Sequence, residues 1–288
     1  MPSPVCSVII LAHNCLDYLP DALLSVAMQR CRDIETIVVD DGSCDGTAAW
    51  LRKIADDWSG LRVIETGGIG PAKARNAGIE LASSPAIAFL DAGDWWWPGK
   101  LKAQLSFHAA HPRTAFSFTD YLEVSQDGER RGTAFEHLQS PIRLRDTSEY
   151  LQLDNALNLI PGPDIVGTST VLARKAALEE AGGFAGPVSG EDWDLWHRLA
   201  AHSPIACSKA ISTNHLVKSS RPASNSEPPM RHDEAPTEPA QIAPGLSTAS
   251  NRRSRAFMPL SPLQFGKAAK ASLLNIALHF FSGDPASR

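Results

Sequence analysis

The chain has 288 residues, 43% of them apolar, and carries 27 Lys and Arg against 32 Asp and Glu for a formal net charge of −5. That length holds one large α/β domain, or a domain with an appendage, around a core of ordinary size. The acidic balance argues against bulk electrostatic binding of nucleic acid, and five cysteines without CxxC spacing read as a reducing compartment with no structural zinc.

The run Cys6 to Ala12 (CSVIILA) is apolar and rich in Val and Ile, the pattern of a strand covered on both faces. It lacks a cationic flank and is cut by His13 and Asn14, so it reads as a buried strand rather than a signal peptide. No uninterrupted apolar run is long enough to span a bilayer. A helix follows, with Pro20 in its first turn and Leu19, Leu23, Val26 and Ala27 on one face. Glu35 to Asp40 is a second strand, and Asp45 is the expected N-cap of a helix that presents Trp50, Leu51 and Ile54. Leu61 to Glu65 is a third strand. Ala72 to Ala82 is a helix entered through a glycine-rich turn, and Ala86 to Asp91 is a fourth strand, after which Pro98 opens another helix. Ala115 to Glu123 adds a strand. The pattern weakens from Arg130 to Gly167, with loops around Pro141 and Pro161–Gly162–Pro163. Arg174 to Ala181 is a short helix ending at Gly182–Gly183, and Asp192 to Ala201 is a helix containing Trp193 and Trp196.

A change of character follows. Residues 1–216 form the expected α/β domain. Residues 217–262, with eight prolines between Ser219 and Pro262, read as a disordered linker. Residues 263–282 read as an amphipathic helix whose face carries Phe265, Ala269, Leu273, Ile276 and Phe280. Arg252, Arg253, Arg255, Lys267 and Lys270 make this end basic, which suits either peripheral contact with an anionic membrane surface or packing on the domain or a partner.

Strands alternating with helices build a mostly parallel sheet, in which ligands sit beyond the carboxyl ends of the strands. His13 and Asn14, Asp40 and Asp41, and Asp91 and Asp94 all fall on that rim. A dinucleotide-binding site is excluded, because the first turn reads Ala12–His13–Asn14 where GxGxxG is required. Asp40 and Asp41 can accept hydrogen bonds from a uracil N–H or ribose hydroxyls, or serve only a turn and cap. Asp91 and Asp94 suit Mn²⁺ or Mg²⁺, which take oxygen ligands and would offset charge on a leaving diphosphate. The bland alternative is a turn that caps the helix at Pro98.

Five segments in order, Val5 to Asn14 (VCSVIILAHN), Val38 to Thr47 (VVDDGSCDGT), Gly70 to Gly78 (GPAKARNAG), Phe89 to Leu101 (FLDAGDWWWPGKL) and Gly190 to Ala200 (GEDWDLWHRLA), resemble family 2 glycosyltransferases. The resemblance covers Val5 to Leu216. It implies the GT-A fold, which is Rossmann-like with a mostly parallel central sheet flanked by helices. It also implies a nucleotide-diphosphate sugar donor, UDP-sugar first among them, and inversion at the anomeric carbon. By resemblance Ala12, Asp40 and Asp41 hold the nucleoside, and Lys73 and Arg75 lie near nucleotide and diphosphate. Asp91 matches the first aspartate of the DxD motif. The place of the second, usually the metal ligand, is taken by Gly93, with Asp94 next to it.

Glu191–Asp192 matches the ED motif, which makes Asp192 the catalytic base and places Glu191 and Trp193 on the acceptor side. An inverting displacement needs one protein carboxylate to take the proton of the attacking hydroxyl, unlike the pair used in glycoside hydrolysis. The alternative for Asp192 is a helix N-cap. Trp95, Trp96, Trp97 and Trp193 can stack on a sugar or anchor helix ends in the core, and Thr168, Ser169 and Thr170 match a segment often close to the acceptor. The reading is a cytoplasmic transferase, either free or peripheral at the inner membrane face, acting on a glycan, lipid-linked or protein acceptor in cell-surface glycan biosynthesis. A degenerate, non-catalytic relative that binds a nucleotide sugar or a partner protein is the competing class.

Overall fold

The computed structural model of the chain describes residues 3–29, 31, 33–137, 149–154, 156–160, 165–185 and 190–217. The expected linker after Val217, the helix at 263–282 and the loops around Pro141 and Pro161–Gly162–Pro163 lie outside the described residues.

The first third alternates as the sequence implies: β1 (Cys6–Ala12), α1 (Leu19–Ala27), β2 (Ile34–Asp41), α2 (Thr47–Asp57), β3 (Leu61–Thr66), α3 (Pro71–Leu81) and β4 (Ala86–Asp91). β1 pairs in parallel with β2 and β4, and β2 with β3. There follow β5 (Trp95–Trp96), α4 (Lys100–Ala110), β6 (Phe116–Ser125), β7 (Arg130–Thr133), α5 (Ala134–His137) and β8 (Leu151–Leu153). Two 3₁₀ turns, Ala156–Leu159 and Thr168–Thr170, lead to β9 (Leu172–Arg174), α6 (Lys175–Glu180), α7 (Glu191–His202) and β10 (Ile205–Val217). The sheet order is β3-β2-β1-β4-β9-β6-β10-β5, with β7 on β6 and β8 on β10. β9 is antiparallel to both β4 and β6 and joins a parallel quartet to the parallel β6–β10 pair.

Two helix starts differ from the sequence reading. α2 begins after Gly46, which is left-handed at φ 97°, although the Asp45 carboxylate still receives the Thr47 N–H at 3.0 Å. α4 begins after Gly99, left-handed at φ 91°, rather than at Pro98. The cause is tertiary. Trp95 and Trp96 pair with β10, and the Trp97 N–H donates to the Ser212 carbonyl, so β10 holds the chain up to Trp97 and the helix starts only after a turn at Pro98–Gly99.

Alternation along the strands splits the core into two layers. Ile9, Ile37, Val39, Ile87 and Phe89 pack toward Ala74 and Ile79 of α3, Leu178 of α6 and Leu195, Trp196 and Leu199 of α7. Val8, Ile10, Val38, Ala88 and Leu90 pack toward Leu19 and Leu23 of α1, Leu51 and Ile54 of α2 and Leu101 of α4. Trp196 is fully buried, with its ring 5.9 Å from Phe89, 5.4 Å from Phe116 and 5.6 Å from Phe184. The helix that carries Asp192 is thereby fixed to the sheet one turn below that residue.

α3 approaches the sheet so closely that a Cβ at Gly78 would lie 2.7 Å from Ile9 Cγ2. Replacing a helix-interior glycine by alanine ordinarily stabilises by roughly 1 kcal/mol. Overpacking a close-packed interface costs about 1–3 kcal/mol. The clash with Ile9 outweighs the gain in helix propensity, so Gly78→Ala is expected to lower the thermal midpoint; a raised midpoint in calorimetry would show that α3 can move off β1.

Candidate functional site

The register sets the rim. Ala12 lies opposite Asp40 across β1 and β2, and Leu11 lies opposite Asp91 across β1 and β4. Three strand ends therefore finish side by side, as the sequence implies.

On the β2 side the aspartates are spent on shaping loops. Asp40 is buried and accepts from Ser43 Oγ and from the Ser43 N–H at 3.3 Å. Asp41 accepts from Thr66 Oγ1 at 2.6 Å, the Ile69 N–H at 2.7 Å and the Gly70 N–H at 2.9 Å. Desolvation opposes ionisation of Asp41, and those three donors outweigh it, holding the carboxyl below its ordinary range. Asp41 thus ties the glycine-rich turn before α3 to β2. The two loops nearly touch, because a Cβ at Gly42 would lie 2.9 Å from the Gly68 nitrogen. His13 Nδ1 donates to the Asp41 carbonyl at 2.7 Å, and Asn14, left-handed at φ 48°, accepts the Cys44 N–H at 2.8 Å. Ala12, Asp40, Asp41, His13 and Asn14 are brought together at this end.

Lys73 and Arg75 part company on α3. Lys73 is exposed in the first turn, whereas Arg75 is buried. Arg75 Nη2 donates to Asp91 Oδ1 at 2.9 Å and Nη1 to Glu191 Oε1 at 2.8 Å, with the guanidinium 5.4 Å from the Phe184 ring centre. Desolvation opposes its charge, and Asp91 and Glu191 overcome that opposition. Arg75 therefore joins the β4 end to the start of α7, a link the sequence could not reveal.

Asp94 is buried. Its Oδ2 accepts from Ser169 Oγ at 2.5 Å, its Oδ1 accepts the Leu216 N–H at 3.0 Å, and His215 Nδ1 lies 3.1 Å from it. Desolvation lowers the proton affinity of His215, but Asp94 raises it further, from 6.5 to about 9. Ser169 Oγ also receives the Asp91 N–H at 3.0 Å. Asp192, half-buried in the first turn of α7, accepts from Thr168 Oγ1 at 2.8 Å and from the Trp193 N–H at 2.8 Å. Consecutive hydroxyls of one turn thus reach the end of β4 and Asp192. Sequence reasoning missed His215, because β10 carries no strand signal across Ser212–Thr213–Asn214–His215.

The tryptophans separate by burial. Trp95 and Trp96 are core residues, the latter donating to the Ser169 carbonyl at 2.7 Å, and Trp97 Nε1 donates to Asn214 Oδ1 at 3.0 Å. These three anchor the β4–α4 segment to β10, the second of the two roles the sequence left open for them. Trp193 is half-buried beside Asp192, with its ring 5.0 Å from that of His197.

The donor set for Mn²⁺ or Mg²⁺ does not fit. Asp91 presents a side chain 39% exposed, but Gly93 offers no ligand, and both Asp94 oxygens are engaged by Ser169, Leu216 and His215. Among the described residues no group of three or more His, Cys, Asp or Glu gathers as a metal site. As bonded here, Asp91 and Asp94 do not form a shared cation site. Asp94 instead holds β10 to the rim.

Comparison with known proteins agrees with this architecture. The model of the Glycosyl transferase family 2 matches residues 7–179. A protein of Bacillus subtilis named as the teichuronic acid biosynthesis glycosyltransferase TuaG is 39% identical over 126 residues, which are 43% of this chain and 50% of that protein. The succinoglycan biosynthesis protein ExoU of Rhizobium meliloti is 31% identical over 209 residues, 70% of this chain and 58% of that protein. The chain thus spans between about half and three fifths of the length of these relatives. The crystal structure of S. aureus TarS 1-349 in complex with UDP-GlcNAc superimposes with a TM-score of 0.57 at 21% identity, over 75% of this chain and 59% of that one. This likeness is one of fold.

Two outcomes test the ionic arrangement. Arg75→Met leaves Glu191 buried and uncompensated, so it is expected to cost about 3–5 kcal/mol of unfolding free energy, read from denaturant midpoints; a cost below ~1 kcal/mol would mean the pairs behave as surface pairs. The raised proton affinity of folded His215 stabilises the protein fully below pH 6.5 and ceases to do so as pH rises through about 9. The gap in thermal midpoint between the native protein and His215→Gln is therefore expected to be widest near pH ~6 and to close by pH ~10. A gap that does not change with pH refutes the ion pair.

Proposed function

The chain belongs to glycosyl transferase family 2, and from that premise we propose that it transfers a sugar from a nucleotide-diphosphate sugar to a hydroxyl acceptor with inversion. The observation that carries the proposal is the location of Asp192, bonded to the same turn that bonds the donor rim. The acceptor oxygen forms a bond to the anomeric carbon while its proton passes to Asp192. The bond from that carbon to the diphosphate breaks, and the nucleoside diphosphate leaves with the electron pair. A base of this kind contributes typically ~10²–10⁴-fold in rate.

In this reading Ala12, Asp40 and the turn held by Asp41 receive the nucleoside. Lys73, exposed at the start of α3, meets the diphosphate, and Glu191 and Trp193 border the acceptor. Arg75 acts differently from the resemblance: paired to two carboxylates, it aligns Asp91 with α7 rather than facing phosphate. UDP is the proposed nucleotide, supported by the TarS complex with UDP-GlcNAc. A cell-surface polysaccharide or lipid-linked acceptor is supported by the names of TuaG and ExoU. Among the described residues no helix is long and apolar enough to cross a membrane. The proposed setting is the cytoplasm or the inner membrane face. No step of the transfer is routed through a divalent cation, because Gly93 and the engaged Asp94 supply no ligand set.

The same two residues favour a second reading, a binding module without turnover. Titration of UDP, GDP and dTDP sugars, each with Mn²⁺ and with EDTA, separates the two. Binding of one nucleotide class together with product formation supports the transferase; no binding by the folded protein leaves the module reading. Asp192→Asn is expected to lower turnover by at least ~10²-fold while donor affinity stays nearly unchanged, and retained turnover would remove Asp192 from its role.

A further inference from the structure

We infer that Thr168 is a positioning residue for the transfer step: its hydroxyl orients the carboxylate of Asp192 relative to the donor rim. The inference rests on the reading of Asp192 as the base.

The terminal torsion of an aspartate is soft and roughly two-fold, so the side chain's own rotamer does not fix the carboxylate plane. Here each oxygen is fixed from outside. Oδ1 accepts the Trp193 N–H of its own helix, and Oδ2 accepts Thr168 Oγ1, 24 residues earlier in the chain. Each oxygen keeps a second lone pair for an acceptor hydroxyl.

The donor of the second bond is itself immobile. Thr168 begins the buried turn Thr168–Thr170, whose other groups are pinned by several elements. Ser169 Oγ bonds Asp94 and the Asp91 N–H, and the Ser169 carbonyl accepts from Trp96 Nε1. The Thr170 carbonyl accepts from Gln104 Nε2 at 3.0 Å, and Thr170 Oγ1 donates to the Gly167 carbonyl at 2.7 Å. One peptide unit therefore separates the group that holds the donor rim from the group that holds the base. The turn sets the distance across which the acceptor must be placed.

Thr114 supplies the control, because it is a buried threonine ahead of β6 whose hydroxyl, among the described residues, reaches only Gln152 Oε1 at 3.4 Å. The test compares Thr168→Val, Thr168→Ser and Thr114→Val in the full chain. The assay is UDP release from UDP-glucose and UDP-N-acetylglucosamine with water as acceptor. Misplacing a reacting group by a fraction of its working distance is costly, so Thr168→Val is expected to lower kcat roughly tenfold or more. KM for the nucleotide sugar stays unchanged, Thr168→Ser restores kcat, and Thr114→Val leaves kcat near native. A readout independent of turnover is the carbon-13 signal of the Asp192 carboxyl, identified by its loss in Asp192→Asn. It is expected to move in Thr168→Val and to stay in Thr168→Ser. Native kcat in Thr168→Val, or an unmoved carboxyl signal, overturns the inference. If the native protein releases no UDP, the reading of these UDP-sugars as donors falls, and the carboxyl signal alone decides whether Thr168 positions Asp192.

Discussion

A guanidinium buried between two carboxylates holds the two halves of the site together. Arg75 comes from α3, Asp91 from the end of β4 and Glu191 from the start of α7. A single charge buried here would be prohibitive, and a single pair would leave half the fork of Arg75 unsatisfied. With both carboxylates in place the arginine becomes a spacer of fixed length. Because Asp192 follows Glu191 directly, the lateral placement of the proposed base depends on this ion triad as much as on the fully buried Trp196 beneath it.

The rim around this spacer is already organised by the protein's own polar groups. Asp41 collects a hydroxyl and two backbone N–H groups, Asp94 collects a hydroxyl, an imidazole and an N–H, and Asp192 collects a hydroxyl and an N–H. Carboxylates that would otherwise repel one another are each stabilised by aligned donors, which suits the anionic sugar donor proposed for this site.

Much of this was legible in the sequence where local pattern decides. The apolar runs of β1, β2 and β4 and the faces of α1 and α2 follow from periodicity alone, and they place Ala12, Asp40 and Asp91 on one edge. What was not legible depends on partners far along the chain. Asp94 looks like a metal ligand until Leu216 and His215 are brought to it by β10, and β10 has a polar centre that no strand pattern marks. Lys73 and Arg75 look alike on α3, yet one faces solvent and the other is buried by Glu191. The three consecutive tryptophans could serve a sugar platform or the core, and pairing of Trp95 and Trp96 with β10 decides for the core in those two. Gly93 was legible as a departure, and the structure supplies its physical counterpart in the engaged Asp94.

β9 has three residues and sits in the middle of the sheet rather than at an edge. The turn that bonds both the rim and Asp192 immediately precedes it. Closing that turn onto the rim joins residues 75 positions apart, and closing Arg75 onto Glu191 joins residues 116 apart. The Asp41 end of the rim, in contrast, is made by contacts within the first 70 residues, such as Asp41 with Gly70, 29 apart. Loop closure grows costlier with separation, and distant pairings slow folding. The order of assembly is therefore built into the topology: the rim around Asp41 can form early from neighbouring units, while the rim around Asp192 has to wait for the chain to return.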